Sequence, residues 1–183
     1  MVEEARLEDT GSGLAPASEG WFVLNVRDAV WLTSDSFASA GIFESDAAEF
    51  QIGHTLAVLQ PGQPSGLYHE ESTQEDFLVL AGECLLLVEG EERRLKAWDF
   101  VHCPPGTEHI FVGAGDGPCV LFMVGARAAD RSVVYPRSDL ALRHGAGAHA
   151  DTTISAEAYA PYSRWQPGRI DHTGLPWSEA EPP

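Results

Sequence analysis

The stretch Gly66–Glu83, "GLYHEESTQEDFLVLAGE", places one histidine beside several carboxylates and then enters an apolar run. Successive side chains of a strand point to opposite faces, so His69 and Glu71 share a face. If residues 72–74 are a hairpin connection, Glu71 and Glu75 are cross-strand neighbours with Cβ atoms about 5 Å apart. Two such carboxylates repel by about 3 kcal/mol at an effective dielectric near 20, and a divalent cation removes that repulsion. This stretch therefore predicts a metal site.

A second histidine completes the predicted site. The segment 104–111, "PPGTEHIF", reads as a turn followed by a strand that begins at His109. An imidazole from another strand of the same sheet system can converge on the first group. Imidazole and carboxylate ligands suit zinc, manganese, iron or nickel without selecting among them. We therefore expect one divalent metal ion per chain, of undetermined identity.

The spacing of the strands predicts the fold class. Short apolar and β-branched runs, separated by Gly and Pro, recur every 8 to 12 residues with no long helical period between them. This pattern is typical of an antiparallel barrel or sandwich rather than of βαβ units. The clearest predicted strands are 21–26, 50–60 and 83–88, with turns at 89–92 and 115–118.

Two motifs resemble those of the cupins. From His69 the chain reads H-x-E-x3-E-x6-G, with Glu71 where that family usually has its second histidine. The stretch 98–113, "WDFVHCPPGTEHIFVG", matches the second motif at Pro104, Gly106 and His109, whereas Trp98 and Gly113 replace its first and last residues. The resemblance covers residues 50–126. It implies an all-β double-stranded β-helix, the jelly-roll barrel, and it implies the metal ligands His69, Glu71, Glu75 and His109.

Three segments are expected around this barrel. Residues 1–20 are predicted to be a flexible N-terminus, 21–126 the barrel, and 127–183 an extended tail. The tail carries several large aromatic side chains, so we expect it to pack on its own barrel or on a neighbour's. One short helix is predicted in it, capped by Ser155 and ended by Pro161, and the last six residues are expected to be disordered.

The composition of the chain disfavours some classes of binding partner. The formal net charge of −17 opposes binding to nucleic acid or to an anionic membrane surface. We expect no membrane span and no secretory signal, and hence a cytoplasmic protein, which is predicted to be a homodimer. The three cysteines form no C-x-x-C pair and are expected to be reduced.

These observations predict metal-assisted chemistry on a small polar metabolite, such as a keto acid, a sugar or a hydroxylated aromatic. The reaction would be of oxygenase, isomerase or decarboxylase type, with Glu71 or Tyr68 moving protons. The alternatives are a non-catalytic metal or metabolite sensor and a barrel with a structural metal only. Two imidazoles, two carboxylates and a 2+ ion sum to zero, which predicts a preference for neutral ligands. If Glu71 is not a ligand, a two-histidine, one-carboxylate triad remains.

Overall fold

Residues 1–178 of the chain are described by a computed structural model. Strands dominate it, and both helices are short. The strands are β1 Leu7–Asp9, β2 Leu14–Pro16, β3 Val30–Thr33, β4 Ser39–Ile42, β5 Ile52–Leu59, β6 Glu70–Glu71, β7 Glu75–Ala81, β8 Glu83–Val88, β9 Glu91–Lys96, β10 Phe100–Cys103, β11 His109–Ala114, β12 Cys119–Ala126, β13 Val133–Val134 and β14 Gln166–Gly168. The helices are α1 Asp139–Arg143 and α2 Ser155–Ala158.

Two antiparallel sheets form the barrel. The larger has the order β10-β7-β12-β5-β4-β3-β14, and the smaller has the order β11-β8-β9. Strands that are far apart in sequence lie side by side, as β12 does between β5 and β7. The predicted all-β jelly-roll architecture is confirmed.

The core lies between these two sheets. Alternate residues of β7 point inward, so that Phe77 and Val79 meet Leu86 of β8 and Phe111 of β11. The outward residues of β7 are covered as well, because Leu80 packs in a second cluster with side chains of the C-terminal segment. That segment therefore closes the outer face of the large sheet of its own chain.

Several predicted elements match the structure and others do not. The strand 83–88 and the turn at 115–118 are confirmed, whereas residues 21–26 form no strand. The hairpin predicted at 72–74 is wrong, because β6 pairs with β13 and β7 pairs with β10 and β12. Residues 72–74 therefore connect two sheets, a change of partner that local spacing does not reveal.

The chain on either side of the barrel is more regular than expected. The N-terminal segment contains the paired strands β1 and β2, and the C-terminal segment contains β13, α1, α2 and β14. Ser155 is the first residue of α2, and the N-cap is Ile154, which makes no side-chain cap bond. Three tail aromatics, Tyr159, Tyr162 and Trp165, surround the buried ring of Phe37. The predicted disorder of the last residues, 179–183, lies outside the described part of the chain.

Gly82 fixes the turn between β7 and β8. Its φ of +73° is in the left-handed region, and a Cβ there would lie 2.9 Å from the Cα of Cys119. Both constraints favour glycine. The close approach holds the first strand of the small sheet against the start of β12.

Candidate metal centre

A backbone bridge brings the two predicted histidines together. The N–H of His109 donates to the carbonyl of His69 at 2.8 Å, and the N–H of His69 donates to the carbonyl of His109 at 3.2 Å. His109 opens β11 of the small sheet, while His69 immediately precedes β6. The imidazole centroids are consequently only 5.0 Å apart.

The imidazoles of His69 and His109 are each held by a hydrogen bond from Nδ1. His69 Nδ1 donates to the carbonyl of Leu67 at 2.7 Å, and His109 Nδ1 donates to the carbonyl of Thr107 at 2.9 Å. In both cases the acceptor lies two residues earlier. This arrangement leaves each Nε2 as the atom with a free lone pair, which is the tautomer that a metal ligand requires.

Glu75 reaches the same point from the large sheet. Its Oε2 lies 3.6 Å from Nε2 of His109 and 3.8 Å from Nε2 of His69. The three ligand atoms all lie within 4.8 Å of one another. The predicted convergence of His69, Glu75 and His109 is therefore present, although the hairpin invoked to explain it is not.

Burial sets the protonation of this group. Burial raises the pKa of Glu75 to about 8, with a further contribution from the Glu71 carboxylate and an opposing one from Arg131 and Arg127. Burial also lowers the pKa of His109 to about 4, and the neighbouring His69 adds to that effect. The pKa of His69 is lowered for the same first reason, against the hydrogen bond to Leu67. Without a cation, the group is neutral near pH 7.

Glu71 lies beside this group but has other partners. Its two oxygens accept hydrogen bonds from Nη1 of Arg131 at 3.0 and 3.1 Å, and one of them also accepts from Thr73 at 3.2 Å. Only 10% of the Glu71 side chain is exposed. Glu71 is not among the three residues whose ligand atoms converge. Its role as a fourth ligand stays a prediction.

Tyr68 points away from the other predicted residues. Its ring is buried against Leu87 and Ile110 on the opposite side of the small sheet, and its hydroxyl accepts a hydrogen bond from the N–H of Gly90. Burial raises its pKa to about 12. The residue does not line the cavity at the histidines, since neighbouring positions 68 and 69 face opposite ways.

A cavity of about 210 Å³ opens onto the three converging residues. That volume equals roughly seven water molecules, each taking about 30 Å³ of liquid. Aromatic and aliphatic side chains form much of its wall, and ionisable groups occupy the remainder. The apolar lining includes Phe77, Phe111 and Met123. The cavity suits a small molecule with a polar end directed at the histidines.

Two arginines line this cavity that the sequence motifs do not predict there. Arg127 directly follows β12 and pairs with Glu44 at 3.2 Å, and Arg131 pairs with Glu71. The sequence predicts an extended tail over residues 127–183, and that prediction places none of its side chains in the site. The available signal was the position of two cations just beyond a barrel strand in a chain with only 11 basic residues.

The three converging residues fit a divalent metal ion. They offer two imidazole nitrogens and one carboxylate, the donor types that zinc, manganese, iron and nickel accept. The backbone carbonyls that receive each Nδ1–H supply the outer hydrogen bonds typical of such ligands.

Comparison with known proteins agrees with this geometry. The model of the Cupin domain family matches residues 55–125, which contain His69, Glu75 and His109. No curated protein sequence matches the chain. No helix among residues 1–178 is long and apolar enough to cross a membrane.

Solved structures with a TM-score of 0.50 or more share the fold at low identity. A sugar phosphate isomerase of the cupin superfamily from Silicibacter pomeroyi is 19% identical, with a TM-score of 0.50 over 73% of this chain and 80% of that one. A predicted oxalate decarboxylase from Thermotoga maritima is 18% identical, with a TM-score of 0.51 over 58% of this chain and 99% of that one. A proposed sugar phosphate isomerase from Acidithiobacillus ferrooxidans is 27% identical with a TM-score of 0.44, over 46% of this chain and 55% of its own length.

Proposed function

Since residues 55–125 of this chain match the model of the Cupin domain family, we propose that the protein is a metal-dependent enzyme acting on a small polar metabolite. His69, Glu75 and His109 would hold one divalent metal ion. The observation that carries this proposal is the convergence of two fixed Nε2 atoms on one buried carboxylate. A metal bound there polarises a substrate oxygen or lowers the pKa of a bound water.

The residues of this chain have distinct tasks in the proposed reaction. The backbone carbonyls of Leu67 and Thr107 hold the two imidazoles in one tautomer and one orientation. Glu75, which is protonated near neutral pH when no cation is present, gives up its proton when it binds one. The apolar wall around Phe77 and Phe111 limits the water that reaches the histidines.

Glu71 is the proposed proton-transferring group. Its carboxylate lies in the cavity wall outside the three-residue group, so it remains available to a bound substrate. Arg131 and Thr73 fix its orientation through three hydrogen bonds. The reaction class, whether isomerase, decarboxylase or oxygenase, follows from the substrate and the metal rather than from the barrel. Assembly as a homodimer and a cytoplasmic location stay predictions.

Metal analysis of matched variants tests the proposal. Purified protein should carry about one metal ion per chain, and His69→Ala or His109→Ala should each empty the site, because the loss of one imidazole removes much of the affinity. His102→Ala is the control, since this histidine pairs with Asp76 on the exposed side of β10 and lies outside the cavity. Stoichiometric metal in both cavity variants would contradict the proposal.

A second measurement separates an enzyme from a binding module. Metal-loaded protein should consume dioxygen with a small organic substrate, or isomerise or decarboxylate one. Binding without turnover in all three assays would instead support the non-catalytic sensor.

A further inference from the structure

The cavity contains positive charge that the ligand motif alone does not predict. Arg127 and Arg131 both line it, although basic residues are scarce in this acidic chain. Long-range repulsion by the net charge of −17 is screened beyond about 8 Å at physiological ionic strength, so the charged groups close to the cavity determine which ligands it attracts.

Arg131 is held over the cavity by the backbone. Its own N–H donates to the carbonyl of Ala128, and the next residue, Ser132, exchanges two hydrogen bonds with Ser72 at 2.9 and 3.0 Å. The adjoining strand β13 pairs with β6, placing Val133 opposite Glu71. The backbone at residue 131 is thereby fixed by contacts that do not involve the guanidinium.

Only part of the guanidinium is used. Both hydrogen bonds to Glu71 come from Nη1, and within residues 1–178 no hydrogen bond uses Nη2 or Nε of Arg131. The side chain is 38% exposed, and it lines the cavity. A guanidinium with free nitrogens in a small cavity matches the planar, two-oxygen geometry of a carboxylate.

Glycine at position 53 gives the second arginine its place. A Cβ at Gly53 would overlap the guanidinium of Arg127, so that the arginine lies directly against the backbone of β5. There it pairs with Glu44 and also lines the cavity. The second cation is therefore built into the wall rather than free at the surface.

The charge balance changes accordingly. Arg131 cancels Glu71, and Arg127 cancels Glu44. Two imidazoles and one carboxylate with a divalent cation then leave a net charge of +1 rather than the zero expected from four ligands. A cavity with this balance attracts an anion.

We propose that Arg131 determines substrate specificity by binding the carboxylate of a small organic acid, an inference that rests on the proposed function of the same cavity. Glu71 binds Nη1 of the guanidinium, and the acid binds Nη2 and Nε. The volume of about 210 Å³ accommodates an acid of a few carbon atoms.

The test compares an anion with its neutral isostere. Pyruvate and pyruvamide are titrated by NMR into zinc-loaded protein and into chelator-treated protein, with the zinc content measured in each sample. Arg131→Gln should weaken pyruvate binding by about tenfold or more and change pyruvamide binding by less than about twofold, as expected for loss of a charge-assisted contact. Glu71→Gln should tighten pyruvate binding, because it frees the guanidinium.

Two further variants make the result interpretable. Arg94→Gln is the matched control, because Arg94 of β9 forms an exposed ion pair with Glu83 of β8 and the substitution removes the same charge. It should leave both titrations unchanged. Arg131→Lys keeps the charge without the fork and should fall between the parent and Arg131→Gln. Melting temperatures confirm folding, since the hydrogen bonds that position residue 131 are made by the backbone and by Ser72.

The outcomes separate this inference from the proposed function. Zinc at one per chain with equal pyruvate affinity in the parent and Arg131→Gln overturns the role of Arg131 and leaves the metal proposal standing. Arg131-dependent pyruvate binding in a chain that takes up none of zinc, manganese, iron and nickel supports the role and overturns the metal proposal. No pyruvate binding by the parent, or equal losses for pyruvate and pyruvamide, also overturns the role of Arg131.

Discussion

Metal binding at this site is expected to release one proton from Glu75. Burial raises the pKa of this carboxyl to about 8, so at pH 6.5 about 0.97 of the metal-free molecules carry the proton. A carboxyl with the ordinary value of 4.5 would be protonated in only about 0.01 of them. The imidazoles contribute little, because the pKa of His109 is lowered to about 4 and that of His69 is lowered as well.

Calorimetry measures this proton directly. Zinc is titrated into metal-free protein at pH 6.5 in two buffers that differ in ionisation enthalpy, and the difference in observed heat gives the protons released per metal. About one proton is expected for the parent and none for Glu75→Gln, which keeps the shape of the side chain but has no proton to lose. A release below about 0.3 in the parent, or an unchanged release in the variant, would refute the reasoning.

The same shift makes the metal-free fold sensitive to pH. The folded state keeps a proton on Glu75 that the unfolded chain gives up above about pH 4.5, so this residue lowers stability as pH rises towards 8. Below about pH 6.5 the buried histidines act in the opposite direction, because only the unfolded chain protonates them. Measured relative to Glu75→Gln, which has no such proton, the free energy of unfolding of the parent should therefore fall by roughly 1 to 2 kcal/mol between pH 6.5 and 8.

Two further predictions concern the fold. Trp165→Ala should lower the free energy of unfolding by about 3 kcal/mol, because this ring stacks on Phe37 with the ring centroids 4.8 Å apart. The control is Trp98→Ala, which removes a ring that is 74% exposed and should change the free energy of unfolding by less than about 0.5 kcal/mol. Urea titration measures both. Gly82→Ala should lower the free energy of unfolding by at least about 2 kcal/mol more than Gly90→Ala. Both glycines have a positive φ, but of the two only Gly82 has backbone atoms within reach of a Cβ. Equal losses in thermal unfolding would show that the close approach at Gly82 is unimportant.

The sequence predicted the centre of this protein better than its edges. His69, Glu75 and His109 lie on short motifs whose spacing is set by turns and strand alternation, and both are local properties. Glu71 was assigned as a ligand from its parity with His69, which is real, but Arg131 lies 60 residues away and engages its carboxylate through a strand pairing between β6 and β13 that no local pattern encodes. The same reason accounts for the wrong hairpin at 72–74.

Other differences come from tertiary packing that overrides local preference. Residues 21–26 have the composition of a strand, but the edge position beyond β3 is occupied by β14 from the other end of the chain. The C-terminal aromatics were predicted to cover apolar surface, and they do so on their own barrel around Phe37 and Trp31. Composition therefore identified that this segment is buried, but not the surface that buries it.

The bridge between His69 and His109 lies where separate parts of the barrel meet. One imidazole follows the loop that leads into β6, the other begins the small sheet, and Glu75 begins β7 of the large sheet. A cation bound by His69, Glu75 and His109 would link these separate parts of the barrel. The two sheets would then separate here only when the cation dissociates. The backbone amide protons of His69 and His109 should then exchange with solvent at the rate at which the protein loses its metal. Hydrogen exchange at these two positions would therefore measure the rate of metal dissociation.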